Sequence, residues 1–410
     1  MDQFNLSLAA VGTVVLVLGM LSLPINRSYL SIPLLAFASG IVLGPIGLGL
    51  LNPDSWGHAD KILEEGARLT LGISLMAIAL RIPKNYPFLH WRSFVILLGL
   101  GMPLMFLMSS LLAHWFLGLP VLLAMLVGAA ICPTDPVVAS SIVTGGLARQ
   151  NLPERFRHGL STESAANDGL AYPLVMLPIL LLDQSESSPW LSWLLTTLIW
   201  EVGGGLVFGA LLGWCVGRSL LLAERNKTLD HSAFLATTLA LTILALGLGK
   251  LLSFNSILAV FAAGVAFSEL VGGADRAKEV QVQETVNLFF TLPVFVLFGL
   301  MLPVASWLEL GWDGLVFAMA IMLLRRIPVI LILSPIVPLW RDRRMALLGG
   351  HFGPIGISAM FYAMVILEQS GHEIAWTAGS LVVTTSLLVH GITAAPLARL
   401  WGRNHSPGES

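Results

Sequence analysis

Apolar segments of about 20 residues, the length a helix needs to cross a bilayer, follow one another from residue 6 almost to the end of the chain. Thirteen can be read, at roughly 6–24, 30–51, 63–82, 91–113, 119–146, 156–182, 190–222, 231–250, 254–271, 285–304, 314–338, 344–368 and 376–398. Only 11% of the residues are charged, where a soluble domain carries about 25%, and the mean hydropathy is +0.84. The pattern predicts an all-α polytopic membrane protein of about 13 transmembrane helices. The start, Met1-Asp2-Gln3-Phe4-Asn5, lacks a positive n-region, so the first segment is expected to stay as a span. The connections are short, and no soluble regulatory domain is expected. Cys132 and Cys215 lie in apolar segments and offer no disulfide framework or metal-ligand spacing.

Charge placement tests the count. With the N-terminus outside, only Lys61, Arg68 and Lys250 of the 22 Lys+Arg fall in external connections, and Arg325 and Arg326 fall inside a span. The others lie on the cytoplasmic side, as the positive-inside rule requires. A missed helix would have inverted the alternation from that point on. The expected orientation is N-terminus out and C-terminus in, in a membrane such as the bacterial inner (plasma) membrane. Cytoplasmic basic residues are thereby explained by topology, and no nucleic-acid binding is expected.

Thirteen spans allow two groups of six, approximately 6–182 and 231–398, joined by a linker helix at about 190–222. Under that offset span 5 pairs with span 12 and runs the opposite way. Both are interrupted, by Pro133 and Pro136 in span 5 and by Gly349, Gly350, Gly353, Pro354 and Gly356 in span 12. Matching interruptions in inverted halves point to a transporter site at the membrane centre, where broken helices cross.

Two carboxylates stand at that depth. Asp135 lies in Ile131-Cys132-Pro133-Thr134-Asp135-Pro136, and Asp168 in Thr162-Glu163-Ser164-Ala165-Ala166-Asn167-Asp168-Gly169. An ionised acid in hydrocarbon is costly, so such residues face a cavity and do chemistry. Thr134 and Asp135 sit between prolines, which favours an unwound stretch with freed carbonyl oxygens; the bland alternative is a kink with Asp135 as a helix cap. Ser164 and Asp168 are four apart and share a helix face, and Glu163 and Asn167 make a second such pair. Hydroxyls, carboxylates and a carbonyl form an all-oxygen set, which hard cations prefer. Arg325 and Arg326 need partners. Either can pair with Glu163, and the other is left to Asp168, to the broken segment or to a water-filled cavity. Glu163 can also snorkel to the cytoplasmic surface. His351 and the closing His390-Gly391-Ile392-Thr393 read as packing residues, and Glu201 and Glu269 as interfacial ones.

At Thr134-Asp135-Pro136, Glu163-Ser164 with Asn167-Asp168, and Arg325/Arg326, the chain resembles the monovalent cation:proton antiporters of the NhaP/NHE type. The glycine-rich span 12 and Leu388-Val389-His390-Gly391-Ile392-Thr393 also look like that family, so the resemblance covers nearly the whole chain. It implies that Asp168 and Asp135 bind the cation, with Ser164 and the Thr134 carbonyl completing the shell. It implies a structural ion pair of Glu163 with Arg325 or Arg326, Asn167 holding the broken helices together, no cofactor beyond the transported ions, and a homodimer. One departure is that span 3, at Ser74-Leu75-Met76-Ala77-Ile78-Ala79-Leu80, carries no acid where some members have one.

The expected activity is electroneutral exchange of Na⁺ or Li⁺ for a proton, the two competing for Asp168. A K⁺/H⁺ exchanger on the same scaffold is the nearest rival. A cation-coupled solute symporter, an intramembrane hydrolase built on Ser164 and a channel are further ones. The sequence offers no polar surface for an organic substrate and no histidine on the Ser164 helix, so no enzyme is expected.

Overall fold

In a computed structural model, residues 2–28, 30–135, 138, 146–227, 233–271 and 276–404 are described. Among them there are helices and connections and no strand. The helices that position the site are α1 (Asp2–Met20), α2 (Ile32–Leu43), α3 (Ala59–Arg81), α4 (Trp91–Leu117), α5 (Val121–Ala130), α6 (Glu154–Leu182) and α7 (Pro189–Arg225). They continue with α8 (Ala233–Leu251), α9 (Ser256–Leu270), α10 (Arg276–Leu300), α11 (Val304–Leu324), α12 (Ile327–Leu333), α13 (Arg343–His351), α14 (Ile357–Ser370) and α15 (Ile374–Asn404). A helix or helix pair stands at every expected span. Seven spans among the described residues are long and apolar enough to cross a membrane by themselves. Shorter apolar helices such as Val121–Ala130 and Ile357–Ser370 are the halves of interrupted spans. The protein is an integral membrane protein.

The interruptions have identifiable causes. Span 5 leaves helix at Ile131, before Pro133; Pro136, the second proline of the motif, lies outside the described residues. Span 12 breaks between His351 and Ile357 over its glycines and Pro354. Span 11, expected to be continuous, also breaks: α11 ends at Leu324 and α12 begins at Ile327, followed by Pro328. Pro328 cannot donate to the carbonyl of Leu324, and Arg325 and Arg326 occupy the gap.

Helix α3 runs through the middle of the molecule against α9, α10, α14 and α6, and every residue from Thr70 to Leu80 is buried. Without water to drive apolar surfaces together, helices in a membrane associate through close van der Waals packing at small residues. Here Gly205, Gly209, Gly213 and Gly217 form a stripe along α7 that faces α9, with Gly209 and Gly213 directly on its backbone. A Cβ at Gly209 would strike the Ala259 carbonyl, and one at Gly213 the Ala263 carbonyl. Gly40 of α2 and Gly299 of α10 meet in the same way.

The two ends of the bundle carry different charges. At one end Lys61 bonds Glu64 and Glu368 at 3.1 and 2.7 Å, and Glu65 takes Arg68 and Lys250 at 2.6 and 2.9 Å. Lys61, Arg68 and Lys250, all expected in external connections, are thereby held in two ion-pair clusters that line one cavity, through Glu64 and Glu368 of the first and Arg68 and Lys250 of the second. At the other end Arg81 pairs with Glu284 at 2.9 Å, within electrostatic reach of Arg149 and Arg157.

Candidate functional site

The first half of α6 is the most polar helical stretch in the interior, yet every residue from Gly159 to Gly169 is buried. Its polar side chains point at the breaks in spans 5 and 12. Asn167 makes the central connection. Its Oδ1 accepts the Thr134 N–H at 3.0 Å, and its Nδ2 donates to the Thr134 hydroxyl at 2.6 Å and to Glu163 Oε1 at 3.1 Å. The Thr134 hydroxyl in turn donates to Ser164 Oγ at 3.1 Å. A frayed turn of backbone is thus pinned to α6 by one amide side chain.

The arginine assignment left open by the sequence is resolved. Arg326 grips Glu163 in a bidentate pair, Nη1 to Oε1 at 3.0 Å and Nη2 to Oε2 at 2.8 Å, and its Nε donates to the Gly349 carbonyl at 3.0 Å. Arg325 covers the broken segments. Its Nη1 donates to the carbonyls of Ile131, Cys132 and Pro133 at 2.8, 2.7 and 3.1 Å, and its Nη2 to that of Gly353 at 2.5 Å. Carbonyl ends of interrupted helices carry partial negative charge and lack intrahelical partners. One guanidinium, planar and always charged, satisfies both.

Asp135 does the complementary work at the other pole. Its N–H donates to the Pro354 carbonyl at 2.8 Å, and its carboxylate accepts the N–H of Ile357, the first residue of α14. The capping role considered from sequence is therefore present, with the cap placed on the other broken helix. Gly356 permits it, since a Cβ there would collide with the Asp135 carboxylate, just as one at Gly353 would collide with Arg326. The glycines of span 12 thus provide clearance for charged side chains as well as breaks in the helix.

His390 and Ser386 of α15 brace this break. His390 Nε2 bonds the His351 carbonyl at 2.9 Å, and Ser386 Oγ accepts the Ile355 N–H at 2.8 Å. His351 contacts Thr393 at 3.2 Å. Both histidines serve as packing residues here. Glu269 accepts the Asn85 N–H at 2.7 Å. Glu201 is half-buried and lines a cavity of about 240 Å³ with Tyr172, Asn255 and Tyr362.

Asp168 stands apart from these satisfied groups. It is fully buried, and neither carboxylate oxygen has a hydrogen-bond partner among the described residues. Its backbone is held: Tyr362 donates its hydroxyl to the Asp168 carbonyl, and Asn255 Nδ2 donates to the Gly169 carbonyl at 2.7 Å. Pro173 explains the second bond, because it cannot supply the helical donor that Gly169 would otherwise receive. The Asp135 carboxylate acts electrostatically on Asp168. The Ser358 hydroxyl acts on it only outside normal hydrogen-bond geometry, and a buried carboxylate with no well-formed donor and a like charge nearby is stabilised by taking either a proton or a cation. Tyr362, Asn255 and the clearance role of the glycines escape a reading of the sequence, since each depends on contacts between separate helices.

The chain belongs to the transmembrane sodium/hydrogen exchanger family, whose model it matches over residues 12–400. It is 31% identical over 405 residues to Na(+)/H(+) antiporter 2 of Zygosaccharomyces rouxii, covering 90% of this chain and 50% of that one. It is 30% identical over 429 residues to the Na(+)/H(+) antiporter of Saccharomyces cerevisiae, covering 96% and 43%. The K(+)/H(+) antiporter NhaP2 of Shewanella sp. (strain ANA-3) is 26% identical over 404 residues, covering 97% and 67%. The chain spans about half the length of three of the curated fungal relatives it matches. Among solved structures, the sodium proton antiporter MjNhaP1 of Methanocaldococcus jannaschii shares the fold, with a TM-score of 0.78 at 19% identity over 98% of this chain and 99% of that one.

Proposed function

We propose that the chain is a secondary antiporter that exchanges a monovalent cation, Na⁺ or Li⁺, for a proton. The observation that carries this reading is the fully buried, unpartnered carboxylate of Asp168. It can hold a proton or a cation, and that competition couples the two fluxes. Empty and charged, it makes the crossing expensive, so the site moves only when loaded. Ser164, Thr134 and Asp135 complete the cation site with Asp168. Asn167, Glu163, Arg325 and Arg326 hold its frame.

With a neutral amide at Asn167, a single carboxyl changes partner in the cycle, which favours one proton per cation and no net charge movement. The reading extends to inverted repeats at about 6–182 and 231–398 joined by the helix at 190–222. It also includes a homodimer and a plasma-membrane location with the N-terminus outside, the last supported by the positive-inside pattern. Relatives named for Na⁺ and for K⁺ both align along the chain, so K⁺ exchange is the second reading. The test is purified protein in proteoliposomes with an internal pH dye, challenged with Na⁺, Li⁺ and K⁺ in turn. Na⁺ or Li⁺ should drive proton movement, and a flat trace with all three ions would reject the assignment.

A further inference from the structure

Ser358 belongs to the second residue layer of α14, and the sequence gives it no distinction. It follows Ile357, whose N–H is taken by the Asp135 carboxylate. Four residues on, and so on the same face of the helix, Tyr362 donates to the Asp168 backbone. The Ser358 side chain therefore sits on the stretch of α14 between its contacts to the two acids. It is completely buried, and its hydroxyl has no hydrogen-bond partner among the described residues. Its hydroxyl acts on the Asp168 carboxylate as a hydrogen-bond donor, but outside normal hydrogen-bond geometry, so that neither group is fully satisfied.

A buried hydroxyl without a partner is costly, and so is a buried carboxylate. Two such groups joined by no bond of normal geometry are both better satisfied by one object placed between them. A hydroxyl offers lone pairs to a cation as readily as a proton to an acceptor, and hard cations are held by several oxygens at once. Resting on the exchange reading above, we propose that Ser358 is a cation ligand, supplied to the site by α14 opposite Ser164 and Asp168 of α6. The ion then bridges the two helices, and its affinity depends on how closely α14 approaches α6.

The experiment compares wild type with S358A and S358C in proteoliposomes, titrating Na⁺ at fixed pH with an internal pH dye, and in detergent melts with NaCl or choline chloride. Because the hydroxyl makes only a poorly formed contact to Asp168, S358A should melt close to wild type in choline chloride. Its half-saturating Na⁺ concentration should rise about tenfold, the scale of one lost bond to a charged group, and the upward melting shift produced by NaCl should shrink. S358C, which keeps the volume and offers only a weak acceptor, should show the same changes. A wild-type half-saturation in either folded variant overturns the proposal, as does a large loss of stability in S358A together with native Na⁺ response in S358C. If wild type itself moves no protons with Na⁺, the exchange reading fails separately, and the NaCl-dependent melting shift of the variants still decides whether Ser358 binds the ion.

Discussion

Arg325 and Arg326 are adjacent in sequence and turn to opposite partners, one to four backbone carbonyls and the other to the Glu163 carboxylate. The gap between α11 and α12 allows this divergence, because an unbroken helix would separate their directions by only about 100°. The two side chains bring charge into the interior; Glu163 neutralises Arg326, and carbonyl dipoles solvate Arg325.

The Glu163–Arg326 pair should carry stability. Removing one partner of a buried ion pair costs about 3–5 kcal/mol. E163Q and R326Q should each melt well below wild type, and R326K should rescue little, since a single ammonium cannot reproduce the bidentate geometry. Thermal melts in detergent check this; an E163Q protein that melts like wild type but binds Na⁺ weakly would make Glu163 a ligand.

R325Q should destabilise by leaving buried carbonyls unpaired, at about 1–3 kcal/mol for each. The loss should accompany faster amide exchange at both breaks, 131–135 and 353–357, measured by hydrogen–deuterium exchange. Faster exchange at only one break would show that the guanidinium does not hold both.

D168N should abolish exchange and leave a folded protein, because the carboxylate it replaces makes no well-formed hydrogen bond among the described residues. The check is cation-driven pH change in proteoliposomes alongside a melting curve. Activity like wild type in folded D168N would remove Asp168 from the mechanism.

Exchange should be electroneutral. If Asp168 carries one proton one way and one Na⁺ the other, the site has the same charge on both journeys. An imposed potential should then leave the Na⁺/H⁺ equilibrium in place, whereas one net charge would shift it by about 2.3 kcal/mol per 100 mV. Potassium and valinomycin set the potential, after K⁺ itself is shown not to be transported.

The α7 stripe should tolerate no bulk. G209L or G213L places a branched side chain against the α9 backbone, and overpacking costs about 1–3 kcal/mol. Melting temperature and the yield of monodisperse protein read the effect; a native profile would mean that α7 can move away from α9.

Much of this was legible because membrane helices write their length and polarity into the chain. The spans, the breaks at Pro133 and around Gly353, and the site acids on α6 all follow from short stretches of sequence. The choice between Arg325 and Arg326 does not, because it depends on an interruption set by Pro328 and on the position of Glu163, which is 163 residues from Arg326. Ser358 is equally silent in sequence, where a lone serine on an apolar helix carries no signal. The four glycines of α7 stand four apart and could be read as a packing face, but their partner helix could not.

Arg325 spans two interruptions that lie more than 200 residues apart in the chain, so neither can rewind or slip without tearing the other from the same guanidinium. A hinge that moved one interruption against the other would cost some of those bonds. A rearrangement that kept all four bonds while exposing Asp168 first to one side of the bilayer and then to the other would translate or tilt the crossed segments as a single rigid carriage. The barrier to that step then lies in the surrounding surfaces across which the carriage slides, and the coordination geometry around the acid travels unchanged.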